Sequence, residues 1–180
     1  FSGFSVYAQG ILTAAAFFPY VLAEYGKIED YEADVSIKTA KKVMEGYVNF
    51  KRPNLLRIDF TKPDNQVICF NGDLLTIYLP ESAAILNQTV ESSGTGSAAS
   101  LATAQGLSLM SRYYSVAYES GQEAVPLEDG STENVVKLVL SRRNTSEAFR
   151  YINLAILPES KLIRRIEAIT PQNEKFQFDF

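Results

Sequence analysis

The 180-residue chain has no histidine, no tryptophan and a single cysteine. Without histidine there is no Ser-His-Asp or Cys-His nucleophile, no histidine metal site, and no side chain that ordinarily titrates near neutral pH. Carboxylate, lysine and tyrosine chemistry stays open. One cysteine excludes an intramolecular disulfide and a cysteine-rich metal cluster. Cys69 lies in an apolar run, where a buried small hydrophobe is the expected role. No stretch is long and apolar enough to cross a bilayer as a helix. Long basic runs are also missing, and the formal net charge is −4, so nucleic acid is not expected as a partner. Nucleotide and nucleophile motifs fail on inspection. Gly94-Thr95-Gly96 is too short for a phosphate loop, and Gly106–Met110 lacks the final glycine of a nucleophile elbow. No cofactor is implied. Glu32 and Asp34, the nearest thing to paired carboxylates, sit on a polar strand face and are expected to be solvated.

What the chain does have is strand pattern. With 46% hydrophobic residues and 21% charged, it fits one domain with a substantial core. Residues 46–80 read as a meander. Val48, Phe50 and Arg52 share one face of a first strand; Leu56, Ile58 and Phe60 share one face of a second. Lys62-Pro63-Asp64-Asn65 is turn chemistry. Gln66–Phe70 and Leu74–Leu79 follow, joined by Asn71-Gly72, a pair suited to a type I′ hairpin. Tyr31–Lys38 alternates cleanly upstream. Downstream, Ala83–Val90, a strand from Tyr114, Val135–Leu140, Ala148–Ile156, Leu162–Ile169 and Phe176–Phe180 continue it, with a polar loop at Gly121–Glu133.

Two helices interrupt the strands. Phe18, Val21, Leu22 and Tyr25 fall at helical spacing within Thr13–Tyr25, with Gly26 placed as the stop. Pro19 predicts either a start near Phe17 or a bend. The uncharged stretch from Ser92 to Ser111 begins flexible and glycine- and serine-rich, then predicts a helix over Ser100–Tyr113 with Leu101, Leu107 and Met110 available for burial. About ten antiparallel strands and so few helices predict a mainly β (α+β) fold: one strongly curved antiparallel sheet whose apolar face the helices cover. Such a face permits an apolar pocket without requiring one.

The order of Lys51-Arg52-Pro53-Asn54-Leu55, Pro63-Asp64, Asn71-Gly72 and Tyr78 with Pro80 resembles the LolA family of periplasmic lipoprotein carriers. The resemblance implies an incomplete β-barrel with two or three helices as a lid over an acyl-chain cavity. It implies a non-enzymatic monomer that takes lipoproteins from an inner-membrane releasing transporter and delivers them to an outer-membrane acceptor. Residues 13–180 would form that domain, after a flexible segment or signal-peptide remnant at 1–12, and LolA-like chains usually carry a further hairpin after the last strand seen here. Cavity-facing residues would be Val48, Phe50, Leu56, Ile58, Phe60, Leu75, Ile77 and Leu79 on the sheet. Phe18, Val21 and Leu22, with Leu101, Leu107 and Met110, would close it. Arg52 matches the family arginine that points inward and holds the lid shut; a solvent-facing arginine at a strand end is the plain alternative. A LolA-like lipid-sensing or glycolipid-binding module of the cell envelope is the second reading of the same fold.

Overall fold

Cross-strand pairing explains most of the architecture, and it is seen here in a computed structural model that describes residues 11–89 and 103–180. Helix α1 (Ala14–Lys27) leads into β1 (Asp30–Lys38), β2 (Val43–Lys51), β3 (Leu55–Lys62), β4 (Asp64–Phe70), β5 (Leu74–Leu79) and β6 (Ala84–Thr89). Helix α2 (Ala104–Tyr113) runs straight into β7 (Tyr114–Tyr118). The short β8 (Val125–Pro126), then β9 (Asn134–Arg142), β10 (Tyr151–Ile156), β11 (Ile163–Ile169) and β12 (Lys175–Asp179) complete the described chain. These form one 12-stranded sheet in the order β6-β5-β4-β3-β2-β1-β12-β11-β10-β9-β7, with β8 also pairing on β9. Every pair is antiparallel. The sheet does not close: β6 and β7 are its edges.

Alternation sets which face is buried. In β2 and β3 the inward residues Val48, Phe50, Leu56, Ile58 and Phe60 are buried, while their neighbours stay exposed or half-buried. From the other half of the sheet come Val136, Leu138, Leu140, Ile152, Leu154, Ile166 and Phe178, and all join the same apolar cluster. One core therefore serves both halves, with each buried Leu, Ile or Phe contributing about 1.5–3 kcal/mol. Gly46 is required where β2 bulges against β3, because a Cβ there would lie 2.3 Å from the Asp59 carbonyl oxygen.

Several expectations are corrected. Helix α1 begins at Ala14 rather than near Phe17, and Pro19 lies inside it. The Thr13 hydroxyl accepts from the Ala16 amide and caps the start. Burial of Ala14, Phe17, Phe18, Val21 and Tyr25 outweighs the hydrogen bond that Pro19 cannot donate. Gly26 does not end the helix, which runs on to Lys27. The β4–β5 turn is not a type I′ Asn71-Gly72 pair. The Asn71 amide bonds the Leu74 carbonyl, so Gly72-Asp73 are central and only Gly72 has positive φ, at 101°. The Asn71 side-chain oxygen instead accepts from the Asp73 and Leu74 amides. Cys69 is half-buried, and it sits opposite Arg57 on the face away from the core. The second helix begins at Ala104; Leu101 and the glycine- and serine-rich part of the uncharged stretch lie outside the described residues.

Candidate functional site: an apolar concave face under a latched helix

Residues paired across strands share a face, and one such row crosses the inner side of the sheet: Ala33, Val48, Ile58, Ile68, Ile77 and Leu86. Every member is apolar, yet burial falls from Val48 toward the β6 edge. Val48 and Ile58 are 1% and 4% exposed, Ile68 and Ile77 are half-buried, and Leu86 on the edge strand is 53% exposed. The next row holds Tyr31, Phe50, Leu56, Phe70 and Leu75, with Tyr31 stacked on Phe50 at 5.3 Å between ring centres. The helices account for the gradient. Both pack near the β7 edge and against each other, so the apolar face emerges from beneath them toward β6.

Of the lining residues expected from sequence, Phe18, Val21, Val48, Phe50, Leu56, Ile58, Phe60, Leu75, Leu107 and Met110 meet in the main core cluster. Leu22 and Ile77 pack against it half-buried. Leu79 is half-buried and outside that cluster, and Leu101 is not among the described residues. Sequence reasoning missed Ile68, Phe70 and Leu86. In β4, Val67 and Cys69 make the outer face nearly as apolar as the inner, so alternation carried no signal there.

Helix α1 is tethered to the sheet at both ends. At its start the Tyr118 hydroxyl donates to the Leu12 carbonyl at 2.9 Å, and the Leu12 amide donates to the Gln122 side chain at 2.9 Å. Near its end the Tyr25 hydroxyl accepts from the Ile163 amide at 3.1 Å. Burial pushes the Tyr25 phenol up to about 12, the Ile163 bond opposing it, and burial also raises Tyr31. Arg52 closes the set. Its Nε donates to the Ile28 carbonyl at 2.9 Å, an Nη donates to the Gly26 carbonyl, and its other Nη lies 3.8 Å from the Glu29 carboxylate. Carbonyls at a helix C-terminus lack intrahelical partners and carry partial negative charge, so a guanidinium fork suits them. Arg52 thus holds the helix end rather than facing solvent alone, but it does so from the rim: its side chain is 38% exposed and not sunk in an apolar cavity.

Polar chemistry is sparse. Among the described residues no group of three His, Cys, Asp or Glu is placed to hold a metal ion, and Glu32 and Asp34 are exposed. A depression of about 620 Å³ lies on the outer face, where Lys51, Leu55, Arg57, Cys69 and Thr76 line it. Arg57 there bonds Asp59 twice at 2.7 Å, and that bond holds the Asp59 carboxyl below the usual range. No helix among the described residues is long and apolar enough to cross a membrane.

Comparison with known proteins agrees with this geometry. The chain is similar in fold to an uncharacterized conserved protein from Thermus thermophilus, at TM-score 0.55 and 14% identity over 89% of this chain and 82% of that one. It is also similar to the lipoprotein LppX of Mycobacterium tuberculosis, at TM-score 0.50 and 13% identity over 89% and 93%. A third likeness is to a chain of the Pseudomonas aeruginosa MucA/MucB complex, at TM-score 0.52 and 10% identity over 92% of this chain and 55% of that one. No curated protein matches. The family model described as outer membrane lipoprotein carrier protein LolA matches residues 33–180, which contain the concave rows and Arg52, and the chain belongs to that family.

Proposed function

We propose that this protein is a non-enzymatic periplasmic carrier that shelters lipoprotein acyl chains on its concave face and hands them to the outer membrane. The sheet would act as an incomplete barrel, with α1 and α2 as its lid. The observation that carries this reading is the row from Val48 to Leu86, apolar throughout but uncovered toward β6. An acyl chain entering from that edge meets apolar surface that deepens beneath the helices. Each methylene removed from water contributes about 0.8 kcal/mol, so one long chain is held by on the order of 10 kcal/mol. Release therefore needs an opposing term. The Arg52 bonds to Gly26 and Ile28 stabilise the closed helix, whereas bound acyl chains stabilise the open one, and that difference drives handoff. The donor would be an inner-membrane releasing transporter and the acceptor an outer-membrane receptor.

The test is stoichiometric binding of a fluorescent long-chain acyl probe, followed by transfer to acceptor membranes. Ile58→Glu should abolish binding, because an unpaired carboxylate in this row costs several kcal/mol. Normal probe binding by folded Ile58→Glu would put the site elsewhere. A lipid-sensing role is the second reading, supported by the fold likeness to MucB, solved in complex with MucA. A sensor would bind the probe equally well but retain it when acceptor membranes are added.

A further inference from the structure

Strand register places the turns at two ends of the sheet, and those ends carry opposite charge. Starting from Tyr114 paired with Arg142, the pairings Tyr151 with Ile169, Ile169 with Lys175, Lys38 with Val43, and Glu45 with Lys62 follow one end across the sheet. Exposed Arg112, Arg143 and Arg150 cluster at this end. The Arg143 amide bonds the Tyr113 carbonyl at 2.9 Å, which sets it beside the last turn of α2, and the Arg150 amide bonds Ile169. Further along, Lys41, Lys42 and Lys62 stand exposed on the β1–β2 and β3–β4 turns, with Val43 40% exposed between them. The Thr39 hydroxyl accepts from the Lys41 and Lys42 amides within the first turn.

None of these six cations has a carboxylate within ion-pair distance among the described residues. Exposed acids at this end are Asp64, Glu81, Glu174 and Glu45, the last opposite Lys62 in register without forming an ion pair with it. Glu147, in the β9–β10 loop, is only 5% exposed. At the opposite end the balance reverses. Glu29, Asp30, Asp73, Glu119, Glu128 and Glu159 are exposed there, while Arg52 is engaged with α1, Lys27 pairs with Glu24, and Lys51 stands exposed beside Asp30. A chain of net charge −4 thus concentrates free cations along one rim.

We infer that this rim is a docking face for an anionic phospholipid bilayer. The shape argues for a plane: the cations stand on the tips of several separate turns and a helix end rather than along one strand or helix. The chemistry argues for phosphate, since guanidinium forks without a carboxylate partner take it bidentately, Arg150 lying over the Tyr151 ring, and lysines add point charge. Attraction of clustered Lys and Arg to anionic lipid acts within a Debye length, so the rim must meet the surface directly. Docking here turns the acidic, α1-latched end away from the bilayer.

Flotation of the full chain with phosphatidylcholine vesicles, with and without phosphatidylglycerol, tests this at low and physiological ionic strength. Binding should need phosphatidylglycerol and weaken with salt. Arg143→Glu with Arg150→Glu, and separately Lys41→Glu with Lys42→Glu, should each weaken it about tenfold or more. The matching Gln variants should fall between, and Lys51→Glu at the opposite end should bind as the parent does. Circular dichroism confirms that each variant is folded. Equal binding to phosphatidylcholine alone would assign the contact to the apolar face instead and overturn the inference. So would equal loss in Lys51→Glu, absence of binding at every ionic strength, or a preference for acidic polypeptide or DNA over vesicles. Displacement by inorganic phosphate, but not by sodium chloride of equal ionic strength, would show a free-anion site and overturn it too.

Discussion

Helices α1 and α2 cover the same concave face, but different forces hold them. Helix α2 inserts Leu107 and Met110 into the core and is anchored at its C-terminal end by the Arg143–Tyr113 backbone bond. Helix α1 buries Phe17, Phe18 and Val21 as well, and adds directional tethers at both ends through Tyr118, Gln122, Tyr25 and Arg52. Burial is non-directional and tolerates small shifts, whereas a hydrogen bond is lost once its geometry fails. Helix α1 is therefore positioned by a few directional side-chain bonds as well as by packing, and α2 mainly by its packing.

Removing a knob from α2 should have the largest effect. Leu107→Ala deletes a fully buried side chain and should cost about 2–5 kcal/mol, read as a lower midpoint in urea unfolding. A shift worth well under about 1 kcal/mol would mean that α2 is not held by its packing. Alkali should act next, on the tethered region. Burial raises Tyr25 and Tyr114 to about 12 from an ordinary 10. Below pH 10 both states keep these protons, and between pH 10 and 12 the unfolded chain loses them first. Stability should therefore fall across that window, by about 3 kcal/mol for Tyr25 and by less for Tyr114. Tyr25→Phe should remove its share of this slope while losing the bond to Ile163. An unchanged pH profile in Tyr25→Phe would show the phenol to be less enclosed than its packing implies.

Arg52→Leu should have the smallest effect on stability and the clearest one on cargo. Losing the bonds to Gly26 and Ile28 should cost about 1.5 kcal/mol, discounted for partial exposure. Acyl probe should then be retained and release to acceptor membranes slowed, with Arg52→Lys intermediate because an ammonium cannot reproduce the fork. Release at the parent rate in Arg52→Leu would reduce the latch to a structural contact and erase the functional difference between the helices.

Much of this was legible in the chain because alternation and turn chemistry are local. Val48, Phe50, Leu56, Ile58 and Phe60 could be placed on one buried face from their spacing alone, and Arg52 could be singled out by the residues around it. Where both faces of a strand are apolar, as in β4, spacing loses its meaning and Ile68 and Phe70 went unassigned. At Pro19 local signals left a start near Phe17 or a bend open, and the structure keeps the proline inside a helix that begins at Ala14.

By itself, then, the sequence determined a mainly β chain with one apolar face, two covering helices and no histidine chemistry. Only tertiary structure decided that β1 pairs with β12, joining both halves of the sheet around one core. It also decided that Arg52 reaches the carbonyls of a helix end 24 to 26 residues earlier. The turns bearing Arg143, Arg150, Lys41 and Lys42 likewise share one rim only through register. Periodicity acts between near neighbours, whereas pairing and charge alignment depend on which distant strands meet, and that is settled by the burial of the whole apolar face.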